Sequence, residues 1–152
     1  MLCRDMRIQQ AILGLFVAFW FFACTQAPQP CRASLASQAS GGVHPVDGQL
    51  AAYNGRHIDL FVSYFHPDVQ LYVHGEAAPF LQGKAALRES YSKMFRSSPL
   101  LRCVVERRIA VGDFVLDEER VTGLRGGPPV HAVAIYEVKN ARIVKAWFIR
   151  GR

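Results

Sequence analysis

Near the end of the chain, Val130–Arg150 reads V-H-A-V-A-I-Y-E-V-K-N-A-R-I-V-K-A-W-F-I-R. β-Branched and aromatic residues fill both arms, and Lys139-Asn140-Ala141-Arg142 interrupts them, so the stretch is a β-hairpin. In the first arm Ala132, Ala134 and Tyr136 point to one side and His131, Val133, Ile135 and Glu137 to the other. Both sets are largely apolar, which predicts a hairpin covered on both faces, in the middle of a sheet. The alanines either meet bulky partners or leave an empty volume above them. A two-residue Asn140-Ala141 loop sets Trp147 opposite Ala134; a three-residue loop with a bulge at Ala141 sets Ala146 there. The bulged loop is the expected one. Either loop asks Ala141 for a left-handed backbone, at about 1 kcal/mol relative to glycine.

Working back from the hairpin, the rest of the domain separates into helices first and strands after. Asp47 is placed to cap a helix with Leu50, Ala51 and Tyr53 apolar, ended by Asn54-Gly55. Ile58, Phe61, Val62 and Phe65 form the stripe of a second helix, stopped by His66-Pro67-Asp68. Val69–His74 alternates as a strand, and Gly75–Gly83 is a loop. Lys84–Ser97 is a third helix with Leu87, Tyr91, Met94 and Phe95 inward. Strands follow at Leu101–Val111 and Phe114–Thr122, joined by a tight turn at Gly112-Asp113. This order predicts an α+β domain: three N-terminal helices packed on a strongly curved, mainly antiparallel sheet. The aromatic helix faces (Tyr53, Phe61, Phe65, Tyr91, Phe95) are expected to meet Ala132, Ala134 and Tyr136.

Residues 1–43 are of another kind. Arg4 and Arg7 precede the apolar run Ala11–Ala23, which is shorter than the roughly 20 residues of a spanning helix. A basic start, a short apolar core and a polar exit describe an export signal over residues 1–23. Phe21-Phe22-Ala23-Cys24 resembles a lipoprotein-processing box, with Phe21 where leucine is usual. Two outcomes stand. Cys24 is lipidated and residues 24–43, rich in Pro, Ser, Ala and Gln, tether the domain to a membrane; or cleavage falls within Ala27–Ala39 and the domain is released, for example into a periplasm.

From His44 to Arg152 there is chain for one domain with one core. The net charge of +6 falls only by one if Arg4, Asp5 and Arg7 are removed. The cations are scattered and form no run with interleaved aromatics, so a solvated basic surface is expected and a nucleic-acid partner is not. Cys31 and Cys103 would meet an oxidising compartment after export; an unpaired, buried Cys103 is expected over a bridge. No CxxC or His/Cys ladder points to a metal, and no cofactor is expected.

Tyr53-Asn54-Gly55-Arg56-His57-Ile58-Asp59-Leu60-Phe61, Phe65-His66-Pro67-Asp68-Val69, Gly83-Lys84-Ala85-Ala86-Leu87 and Tyr91 come in an order that resembles the nuclear transport factor 2 superfamily. Gly112–Gly123 and Ile135–Val138 with Arg142-Ile143 resemble its SnoaL-like and ketosteroid-isomerase-like branch. The likeness runs from His44 to Arg150. It implies a cone-shaped barrel with one apolar pocket, often a homodimer through the outer sheet face, and no single activity. It also implies where an isomerase would keep its machinery: the general base falls at Val73, the oxyanion aspartate at Ala134 and the catalytic tyrosine near Gln49. Only a supporting tyrosine has a counterpart, Tyr91. Steroid isomerisation is therefore not expected.

Other residues could supply chemistry. His74 ends a strand, carries the side-chain type suited to proton transfer at neutral pH and has Glu76 close by, so it is the candidate general base, with Tyr53 and Tyr91 as donors. Asp117 and Glu119 share a strand face. They are either a solvated pair among arginines or, if they face the pocket, a pair that raises one carboxyl pKa. The expected pocket comprises Phe61, Phe65, Tyr72, Phe95, Asp117, Glu119, Ala132, Ala134 and Tyr136. The expected partner is a small apolar or carbonyl-containing molecule, bound without chemistry or turned over by an isomerase or lyase.

Overall fold

Both arms of the 130–150 hairpin form, and they lie inside a six-stranded sheet. The structure, a computed structural model, describes residues 44–151. The export signal, the Cys24 lipidation site, the 24–43 linker and Cys31 lie outside the described residues. In chain order the elements are α1 (Pro45–Gly55), α2 (Ile58–Ser63), β1 (Phe65–Val73), β2 (Leu81–Gln82), α3 (Lys84–Arg96), β3 (Arg102–Val111), β4 (Phe114–Thr122), a 3₁₀ turn (Leu124–Gly126), β5 (Val130–Lys139) and β6 (Arg142–Arg150). The sheet order is β2-β1-β6-β5-β4-β3. Every neighbouring pair is antiparallel except β1 and β6, so the sheet is mixed. It curls around the helices without closing, β2 and β3 forming its two edges.

The hairpin corrects the expected register. Lys139 pairs with Arg142, leaving a two-residue loop with Asn140 and Ala141 both left-handed (φ 49° and 55°). This is the backbone of a two-residue turn that follows the twist of its strands. One extra residue, Val144, then bulges out of β6, so that Ala134 faces Phe148 and neither Trp147 nor Ala146. The slip puts Phe148 on the alanine face and Trp147 on the other, where Tyr72 stacks on it at 5.7 Å.

Other boundaries move as well. His44, not Asp47, caps α1: its Nδ1 accepts from the Val46 N–H at 3.3 Å, and Pro45 occupies the first turn, where no donor is missed. The helix runs through Gly55 and Arg56 takes the left-handed closing position (φ 56°), its guanidinium bonded to the Leu101 carbonyl at 3.1 Å. Ala52, not Ala51, is the buried alanine of α1. Phe65 opens β1 instead of ending α2, and His66-Pro67-Asp68 is a bulge. Pro67 has no N–H for the ladder, and pairing to β6 resumes only at Gln70. The predicted 75–83 loop contains β2, paired to β1.

The helices lie on one face, as expected. Phe61 stacks on Tyr91 at 4.6 Å and Tyr53 meets Phe95 edge-on at 5.6 Å. This aromatic layer shares one core with Ala134, Tyr136 and Ala146 of the sheet. Asn54 pins α1 to β3 through both backbone groups of Cys103, at 2.7 and 2.9 Å.

Candidate functional site

Three rows cross the concave face of the sheet in register: Val115–Tyr136–Ala146, Asp117–Ala134–Phe148 and Glu119–Ala132–Arg150. In the second row Ala134 is fully buried and packed. In the third, Ala132 leaves room, and a cavity of about 110 Å³ opens over it. Its wall is apolar where Leu50, Tyr53, Met94, Val121 and Phe148 meet it. Its polar lining is Gln49, Cys103, Glu119, Tyr136 and Arg150. The solvated-face reading of the carboxylates is thereby overturned, since Asp117 and Glu119 are 1% and 7% exposed.

The two carboxylates have different surroundings. Asp117 receives a bidentate pair from Arg108, Nε to Oδ1 at 2.6 Å and Nη2 to Oδ2 at 2.7 Å, while Arg108 also reaches Asp47 on α1. Among the described residues no cation forms an ion pair with Glu119. It accepts a hydrogen bond from the Tyr136 hydroxyl at 3.0 Å, and that hydroxyl accepts from Gln49 Nε2 at 3.3 Å. The Cys103 thiol is also within hydrogen-bonding reach of Glu119. Burial is the main cause that pushes the Glu119 carboxyl up to about 7, and the negative Asp117 adds to it; the Tyr136 bond opposes the rise. Two carboxylates on one face thus divide into a neutralised structural anion and an acid that titrates near neutrality. Burial likewise pushes up the Tyr53, Tyr91 and Tyr136 hydroxyls and the Cys103 thiol, so each is a neutral donor at physiological pH.

The predicted site residues part company here. Glu119, Ala132, Tyr136 and Tyr53 line the cavity. Asp117 and Ala134 lie one row away, under it. Phe61, Phe65 and Phe95 are core residues that do not line it, and Tyr91 stands among them. Tyr72 is on the convex face with Trp147. His74 is exposed at the end of β1, on a neighbouring open cleft with Val73, Phe80 and Ile149 that shares Phe148 and Arg150 with the cavity, and Glu76 makes no ion pair with it. His74 does not line the cavity over Ala132.

Gln49, Cys103, Arg108 and Arg150 were missed by sequence reasoning. Gln49 stands where the resemblance puts a catalytic tyrosine, and it does turn inward. Cys103 is a free, buried thiol. On the opposite face, ligand atoms of Glu106, Glu118 and His131 lie within 4.8 Å of one another, but Arg120 and Arg107 already pair with these carboxylates.

A curled mixed sheet with three helices on its concave side and a cavity under α1 defines the α+β cone fold of nuclear transport factor 2-like proteins. The chain belongs to the SnoaL-like domain family, whose model matches residues 46–146. Among solved structures it is similar to an uncharacterised cystatin-fold protein from Novosphingobium aromaticivorans, with 27% identity over 70% of this chain and 95% of that one and a TM-score of 0.64. An NTF2-like protein of unknown function from Cytophaga hutchinsonii shares the fold at 13% identity, over 70% and 87% of the two chains, with a TM-score of 0.59. So does a protein with a ketosteroid isomerase-like fold from Catenulispora acidiphila in complex with trimethylamine: 16% identity, 69% and 83% coverage, TM-score 0.59. No curated protein matches the chain.

Proposed function

We propose that this chain is an exported SnoaL-like domain that binds a small, mainly apolar molecule over Ala132, oriented by Glu119, Tyr136 and Gln49. The observation that supports this most is the cavity itself: an apolar wall around one continuous hydrogen-bond chain. At about 110 Å³ its enclosed part is somewhat smaller than the roughly 150 Å³ of an engineered cavity that takes benzene, so it has no room for a steroid, and a single-ring ligand would extend through its open side. Val73 and Ala134, at the isomerase base and oxyanion positions, argue the same way. A second reading, an isomerase or lyase, is favoured by Glu119 in place of His74. Ionised Glu119 would take a proton from a carbon next to a carbonyl, and the protonated acid would return it to another atom of the same molecule.

Native mass spectrometry of protein from its own host tests the reading. A small molecule released on denaturation is expected from the wild type and not from Ala132→Phe, which fills the cavity; Ala134→Trp should instead fail to fold, because its site is packed. A folded Ala132→Phe that still holds the molecule would contradict the cavity. The same spectrum reads the N-terminus. Chains starting at a lipid-modified Cys24 or within residues 27–39 support export, and an intact Met1 contradicts it.

A homodimer through the convex face belongs to the same reading. Ile109, Val111 and Phe114 are exposed there beside the half-buried Ile135 and Trp147, an apolar band that a second copy would cover. Sedimentation at micromolar concentration should give a dimer that Ile135→Lys converts to monomer. A monomeric wild type would remove this part.

A further inference from the structure

The third row of the concave face places an acid and a base on either side of a gap. Glu119 on β4 and Arg150 on β6 are each paired with Ala132 on β5. Adjacent strands are about 4.8 Å apart, so the two outer backbones are roughly 10 Å apart with only a methyl group between them. Arg150 lines the cavity, and its charge is near enough to the Tyr53 and Tyr91 hydroxyls to oppose the rise in their pKa. Every other arginine that faces a carboxylate across these strands is paired: Arg108 with Asp117, Arg120 with Glu106, Arg107 with Glu118. Among the described residues no carboxylate forms an ion pair with Arg150.

We infer that the ligand of this cavity is a small carboxylate, its anionic end seated on the Arg150 guanidinium and its ring-sized apolar body over Ala132, with a hydroxyl or carbonyl at the far end among Glu119, Tyr136 and Gln49. A guanidinium offers two parallel donors in the geometry that a carboxylate accepts. The inner end suits a neutral polar group, since the donors and acceptors there are uncharged while Glu119 holds its proton. Arg150 also borders the open cleft of His74 and Phe80, so an anion approaching from that side meets a positive charge.

The inference rests on the proposed cavity, and one pair of probes separates the two. Calorimetric titration at pH 6 compares 4-hydroxybenzoate with 4-hydroxybenzyl alcohol, which keeps the ring and hydroxyl and lacks the charge. Wild type should bind the acid about ten-fold or more tightly than the alcohol. Arg150→Met should remove that preference by weakening the acid alone, and Arg150→Lys should restore part of it. Equal binding of acid and alcohol by wild type, or equal loss of both in Arg150→Met, would overturn the carboxylate assignment and leave the cavity standing. Failure of both probes to bind at millimolar concentration would overturn the assignment together with the cavity reading.

Discussion

Replacing Arg108 with methionine is expected to destabilise the fold by about 3–5 kcal/mol, because it strands a carboxylate in the core. Asp117 is 1% exposed and both of its oxygens are bonded to Arg108, at 2.6 and 2.7 Å. With the guanidinium gone, the carboxylate is left in the core without the partner that offset its desolvation. For a domain of this size the melting temperature should fall by roughly 15 °C or more. Arg108→Met combined with Asp117→Leu should recover a good part of the loss, since the anion goes with its partner. The exposed pairs Arg88–Asp59 and Lys93–Glu89 should change little on truncation, being solvated at both ends. A single Arg108→Met variant melting within a few degrees of wild type would contradict the description of Asp117 as a buried anion.

The second large effect is one of pH. The Glu119 carboxyl has an ordinary pKa of 4.5 in the unfolded chain and about 7 in the folded one. Between those values the folded protein keeps a proton that the unfolded chain has released, so stability falls as pH rises through the window. It levels off above about 7, where both states are ionised. The full difference is on the order of 3 kcal/mol. Glu119→Gln keeps an oxygen for the Tyr136 hydroxyl and removes the titration. The variant should therefore match wild type near pH 4.5 and exceed it progressively up to pH 8, in urea unfolding followed at several pH values. Parallel curves for the two proteins across this range would count against a neutral Glu119. Surface carboxylates titrate in both proteins and cancel in the difference.

Much of the fold is legible in the chain because periodicity and turn chemistry are local. The strand alternation of Val130–Tyr136, the helical stripe of Leu87, Tyr91, Met94 and Phe95, and the Gly112-Asp113 turn are each written in a few consecutive residues, and each forms. The site depends on what is not local. Alternation places Asp117 and Glu119 on one face without saying whether that face is covered, so a sequence reading leaves them among solvated arginines. Three bulges then decide which side chains meet. Glu106 is extra on β3 and brings Arg108 opposite Asp117. Val144 is extra on β6 and brings Arg150 and Phe148 to the alanine face. His66–Asp68 lengthen β1 and leave its far end, with His74, outside the cavity. His74 drew attention because an imidazole is recognised from residue type alone. Glu119 acquires its titration only from burial, which no single stretch of sequence records.

A carboxyl that titrates near neutrality inside a cavity holding a small molecule has two signatures, and carbon-13 NMR of the Glu119 side-chain carboxyl tests both at once. With glutamate labelled and Glu119→Gln used for assignment, the Glu119 resonance should titrate with a midpoint near 7 and should shift when 4-hydroxybenzyl alcohol is added. A midpoint in the ordinary carboxylate range, with no response to the added alcohol, would contradict both.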